Sequence, residues 1–189
     1  NMLTIMRKQE DILKLFRNLD ISATMYKNAV DKYKALSAYF ESKGIECTIY
    51  PQGSFALGLV TRPFMGGKDK NYDLDVICEL TYDKSKITPE ALKKIIGDAL
   101  KESHIYSDKL LDEFEKCWTL EFAEINEVTF NMDIIPSIKD SKFILEFSLN
   151  SNFLAITNKT PQNLYEWINI NPKDYQKWFE DINTPFLDH

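Results

Sequence analysis

The sequence predicts an α+β domain, and three observations carry that reading. An apolar stripe recurs at three- and four-residue steps through Met25, Ala29, Tyr33, Leu36 and Phe40, the spacing of a helix with one buried face. Apolar and polar residues alternate from Asp73 to Leu80 and from Val128 to Ile135, the period of half-buried strands. Between those strands, Thr88-Pro89-Glu90 reads as a helix start with Pro at the first helical position. Helical and extended patterns are thus interspersed along the chain.

The elements follow in order. A short amphipathic helix is expected over residues 7–18 and a longer one over 22–43, capped near Asp20 or Ser22 and stopped at Gly44. Ile45 to Tyr50 read as a strand leading into a Gly53-Ser54 turn, and residues 54–60 as a helical turn. Asp73 to Leu80 form a central strand, a helix runs from Pro89 to near residue 102, and a second helix is expected over 107–116. Trp118–Ile125 and Val128–Ile135 read as a hairpin turning at Asn126-Glu127. Phe153 to Thr157 read as a short strand, with helices over Pro161–Trp167 and Pro172–Glu180.

Composition narrows the function. The 189 residues suit a single domain with a sizeable core. A net charge of −6 and a pI near 5.0 argue against a protein that coats nucleic acid electrostatically, so no obligate nucleic-acid partner is expected. Cys47, Cys78 and Cys117 are too scattered for a zinc site, and His104 and His189 do not pair with them. Reduced thiols fit a cytoplasmic protein. No signal peptide and no run of about 20 apolar residues appears, so no membrane partner is expected. Asn1 before Met2 reads as a cloning remnant.

The chemistry lies in three short segments: Tyr-Pro-Gln-Gly-Ser-Phe at 50–55, Asn-Tyr-Asp-Leu-Asp-Val-Ile at 71–77 and Phe-Asn-Met-Asp-Ile-Ile-Pro at 130–136. Alternation places Asp73 and Asp75 on one strand face, opposite Leu74 and Val76. Their Cα atoms lie roughly 6.6 Å apart, within reach of a metal pair whose ions sit about 3.5–4 Å apart. Asp133 repeats the design between Met132 and Ile134. If its strand neighbours the first, three carboxylates meet, and like charges so close call for a cation. Oxygen-only ligands favour Mg2+, with Mn2+ as the alternative, over zinc. A lone Asp-x-Asp is common on solvated strands, and Gly-Ser is usually an ordinary turn. The order of the three segments and an Asp within an apolar strand carry the weight.

Gln-Gly-Ser-Phe-Ala-Leu-Gly, Tyr-Asp-Leu-Asp-Val-Ile-Cys-Glu-Leu and Met-Asp-Ile-Ile-Pro resemble the polymerase-β-type nucleotidyltransferases. The nearer likeness is to the bacterial cyclic-oligonucleotide synthases (CD-NTases) of anti-phage defence, relatives of cyclic GMP-AMP synthase and oligoadenylate synthase. Ala155–Lys159 and Asn171–Phe179 share it. The resemblance implies a palm domain with a mixed sheet and a long N-terminal spine helix. It implies that Gln52, Gly53 and Ser54 hold the donor triphosphate, that Asp73, Asp75 and Asp133 bind two Mg2+ ions, and that Asp133 helps activate the attacking hydroxyl. Nucleoside triphosphates would be the substrates, pyrophosphate the by-product, and a cyclic di- or trinucleotide the signal. A downstream effector would bind that product, not this protein. The sequence departs from the family at Leu59, where Thr is common, and in an insert over Arg62–Lys70.

On this reading residues 1–170 form the catalytic domain, and 171–189 open a helical C-terminal domain of which the chain holds only the start. The alternatives are a related transferase with another acceptor (an antibiotic, a protein or a tRNA end) and a non-catalytic nucleotide-binding module.

Overall fold

The structure, a computed structural model, describes residues 23–52, 70–125, 128–140 and 153–170. Helix α1 (Ala23–Ser42) buries Ala29, Tyr33, Leu36 and Phe40 of the expected apolar stripe, with Val30 beside them. It ends at Gly44, whose φ of 71° suits glycine. There Ile45 N–H reaches back to the Phe40 carbonyl and Gly44 N–H to that of Glu41, both at 3.0 Å. Helix α2 (Pro89–Lys101) starts as expected, with the Thr88 hydroxyl accepting from Ala91 N–H at 3.2 Å. Its buried face carries Leu92, Ile96, Ala99 and Leu100.

Six strands among the described residues make one mixed sheet: β1 (Cys47–Gln52), β2 (Lys70–Leu80), β3 (Trp118–Ile125), β4 (Val128–Lys139), β5 (Leu154–Lys159) and β6 (Tyr165–Ile170). The order is β1-β2-β4-β5-β6, and β3 also pairs with β4. Only the β2–β4 pair is parallel. On one edge β4 is met by β2 along most of its length. On the other, β3 takes its first half and β5 its second. The sheet therefore forks where β3 and β5 diverge.

Alternation divides the sheet's faces. Leu74, Val76, Cys78, Leu80, Met132, Ile134 and Ile138 join α1 and α2 in the main core. Ile77 and Leu154 form a small second cluster with Ile135 and Ile170. Among the described residues no helix is long and apolar enough to cross a membrane.

Two expected helices are corrected. Over 107–116 there is only a short 3-10 turn, Ser107–Lys109. Beyond it Leu110 bridges to Leu120, and Leu111 N–H bonds the Thr119 carbonyl at 3.0 Å. The Lys93 ammonium donates to the carbonyls of Phe114 and Glu115. Tertiary partners have claimed the groups a helix would use, and Phe114 is left exposed. The helix expected over Pro161–Trp167 is instead a turn and strand β6. Asn163 N–H bonds the Thr160 carbonyl at 2.9 Å, and Asn163 adopts a φ of 61°. Pro161 is the second residue of that tight turn, a place Pro favours as strongly as a helix start. Strand β1 also lies two residues later than expected, and β2 begins three residues earlier. The elements expected over 7–18, 54–60 and 172–180 lie outside the described residues.

Candidate active site

The register of three strand pairs builds one row across the sheet. Gln52 of β1 is paired with Asp75 of β2, Asp75 with Asp133 of β4, and Asp133 with Thr119 of β3. Adjacent strands lie about 4.8 Å apart, so the two carboxylate-bearing residues are immediate neighbours. Asp73 sits one strand repeat earlier and is paired with Asn131. Gly53 and Ser54 lie outside the described residues.

This row exists because the other face of the same strands is apolar. Leu74, Val76, Met132 and Ile134 are fully buried, so Asp75 and Asp133, at alternating positions, are directed to the opposite face. Both are half-buried. The Thr119 hydroxyl donates to Asp133 Oδ1 at 2.5 Å. Thr119 Oγ1 is also 3.8 Å from Cys117 Sγ. Burial pushes the Cys117 thiol up to about 11, and the negative charges of Asp133 and Asp75 push the same way. Asn131 Oδ1 is buried without a hydrogen-bond partner.

Among the described residues no three carboxylate, imidazole or thiol groups gather as a metal cage. Asp75 and Asp133 supply oxygen donors in register, a donor set that fits a hard divalent cation. Thr119 was not singled out in the sequence. Alternation along Trp118–Ile125 assigns it to the polar face, but only the pairing register identifies Asp133 as its neighbour.

A second polar cluster sits at the fork between β3 and β5. Lys93, fully buried on α2, donates to the Glu115 carbonyl at 2.7 Å and lies 3.5 Å from Glu113 Oε1. Glu113 also takes Lys159 of β5 at 2.7 Å and the Tyr165 hydroxyl of β6 at 3.1 Å. Burial lowers the Lys93 pKa, and Glu113 opposes that shift without cancelling it. Burial works to raise the Glu113 pKa, but the Lys159 hydrogen bond, the Lys93 charge and Tyr165 hold it below its ordinary value.

The chain is similar to known proteins over the strands that build this row. The family described as cyclic GMP-AMP synthase DncV-like, nucleotidyltransferase domain, matches residues 47–134. A c-di-GMP synthase of Roseivirga ehrenbergii is 26% identical over 92% of this chain and 43% of its own length. The cyclic dinucleotide synthase CdnG of Bradyrhizobium diazoefficiens is 30% identical over 67% of this chain and 29% of its own. The structure of that CD-NTase in complex with GTP superposes with a TM-score of 0.64 and 25% identity, covering 91% of this chain and 46% of that one. The chain thus spans less than half the length of these relatives. Over residues 47–134, from β1 into the Asp133 strand, the chain matches the DncV-like nucleotidyltransferase domain, and in sequence and fold it resembles the CD-NTases.

Proposed function

We propose that the protein joins nucleoside triphosphates with release of pyrophosphate and makes a cyclic di- or trinucleotide signal. The observation that carries this reading is the register of Asp75 with Asp133 on adjacent parallel strands. The likeness to cyclic dinucleotide synthases, and the GTP held by the Bradyrhizobium CdnG structure, supports triphosphates as substrates.

Asp73, Asp75 and Asp133 would hold Mg2+ (or Mn2+), which supplies charge neutralisation for a reacting triphosphate. Gln52, beside Asp75 in the row, would hold the donor phosphates with Gly53 and Ser54. Asp133 would orient the acceptor hydroxyl and take its proton as the new phosphodiester forms. Asp75 and Asp133 carry like charge on adjacent strands, and a cation bound with the substrate would offset their repulsion. Residues 1–170 would form the catalytic unit, with 171–189 beginning a helical region beside the nucleotide cleft. The protein would act in the cytoplasm, in anti-phage defence, where an effector reads the released product.

The test is incubation of the full-length protein with each pair of nucleoside triphosphates and Mg2+, with products identified by mass. Cyclic oligonucleotides are expected. Transfer of a single nucleotide to an antibiotic, protein or tRNA would replace this reading with a different acceptor. Binding of triphosphate without turnover would replace it with a non-catalytic module.

A further inference from the structure

We infer that Thr119 is a positioning residue whose hydroxyl holds the Asp133 carboxylate in the orientation the reaction needs. This rests on the nucleotidyltransferase reading and adds a residue that neither the sequence motifs nor the likeness to known proteins identifies.

The register sets the problem that Thr119 solves. Asp75 and Asp133 face each other across a parallel strand pair. Two like charges at that spacing repel. The terminal torsion of an aspartate is soft, so a carboxylate under repulsion turns away from its neighbour unless something fixes it. Thr119 approaches Asp133 from β3, the side opposite Asp75. Its hydroxyl donates to Asp133 Oδ1 at 2.5 Å, and hydrogen bonds to an ionised acceptor are among the stronger ones.

Two further observations make the donor well placed. Thr119 is only 5% exposed, and a β-branched side chain has few rotamers. Its hydroxyl is therefore presented from a fixed position with little water to compete. A hydroxyl has one hydrogen to give. With that hydrogen committed to Asp133, the Cys117 sulfur, 3.8 Å away, meets Thr119 Oγ1 as an acceptor. The thiol, the hydroxyl and the carboxylate then form a directional series ending on Asp133. On the other flank Glu121, two residues along β3, pairs with Asn131 and not with Asp133. Thr119 is thus the β3 residue in register with the carboxylate.

The test uses Thr119→Val, which keeps shape and removes the donor, and Thr119→Ser, which keeps the donor. In the full-length protein Thr119→Val should lower kcat about 10–100-fold, the range seen when a group orienting a ligand residue is lost. KM for the nucleotide should stay unchanged, and Thr119→Ser should restore most of the rate. Mn2+ titration followed by electron paramagnetic resonance should show binding about tenfold weaker in Thr119→Val and near wild type in Thr119→Ser. A Thr119→Val protein with wild-type kcat, or a Thr119→Ser protein as impaired as Thr119→Val, overturns the inference while leaving the nucleotidyltransferase reading standing. Should the wild type form no product, that reading fails and the Mn2+ titration alone decides. Weaker binding in Thr119→Val alone supports the positioning role, and equal behaviour of all three proteins overturns it.

Discussion

Two polar clusters of this sheet, the row and the fork, obey opposite rules. At the fork, Glu113 stands between two ammonium groups, Lys93 and Lys159, with a tyrosine hydroxyl and two carbonyls completing the set. Opposite charges meet there, two ammonium groups on one carboxylate, and the buried Lys93 ammonium finds acceptors in Glu113 and two carbonyls, so burial is tolerated. In the row, strand register brings Asp75 and Asp133 side by side, like charge beside like charge. The first arrangement fastens α2, β5 and β6 to the segment before β3. The second, on the proposed reading, would be offset by a bound cation. Stability and the proposed chemistry fall in neighbouring but separate places, and Cys117 senses both, its thiol pushed up by burial and by Asp133 and down by Lys93.

Four changes break or sharpen that contrast. Asp75→Asn combined with Asp133→Asn should cut product formation by at least about 1000-fold, equivalent to about 4 kcal/mol of barrier. Thermal unfolding should show the same or a higher Tm, because repulsion is removed. Lys93→Met should do the reverse. It leaves the Phe114 carbonyl without the Lys93 donor and Glu113 without one of its two ammonium partners, while the Glu115 carbonyl keeps the Lys159 N–H, and it should cost about 2 kcal/mol by urea denaturation.

Glu113→Gln sharpens the picture through pH. Glu113 is held below the ordinary 4.5, so its contribution is fully present above that value and fades as pH falls through the lower folded-state pKa. The variant should be about 2 kcal/mol less stable than wild type at pH 7, and the gap should close in acid below pH 4.5. A gap that stays constant down to pH 3 would remove the carboxylate's charge from the account.

Gly97→Ala carries the smallest expected effect. A Cβ there would come within 2.2 Å of the Trp118 ring, which is anchored by its indole N–H on the Lys93 carbonyl at 2.9 Å. Overpacking should outweigh the gain in helix propensity by about 1 kcal/mol. Since Trp118 adjoins Thr119, crystallography of this variant would reveal whether strain at the fork reaches the row.

Much of this architecture can be read from residue patterns. The Met25–Phe40 stripe, the Thr88-Pro89 start and the alternation around Asp75 and Asp133 are local signals, and local signals fix faces and helix ends. Misreadings fall where the deciding partner is distant in sequence. Residues 107–116 read as a helix, but Lys93, Thr119 and Lys159 take backbone groups at Leu111, Phe114 and Glu115. Pro161 was compatible with a helix or a turn, and the pairing of β6 with β5 decided it. For the same reason the polar position of Thr119 was legible while its bond to Asp133 was not. Alternation assigns a face but carries no information about which residue of the next strand lies opposite.

The parallel pairing of β2 with β4 has one more consequence, and it concerns error. Strands so paired cannot be joined by a tight turn, and here the connection runs through α2 and β3. No local fragment can therefore present Asp75 next to Asp133. A slip of one residue in β4 would turn its carboxylate into the core and Ile134 out of it, a change the packing of Leu74, Val76 and Met132 does not permit. A slip of two would keep the faces but set Asp133 against Asp73 or Ile77. Hydrophobic packing thus acts as a proofreader: it limits the alignment to coarse steps, and molecules misaligned by one step are discarded as unfolded instead of persisting as folded but inactive ones.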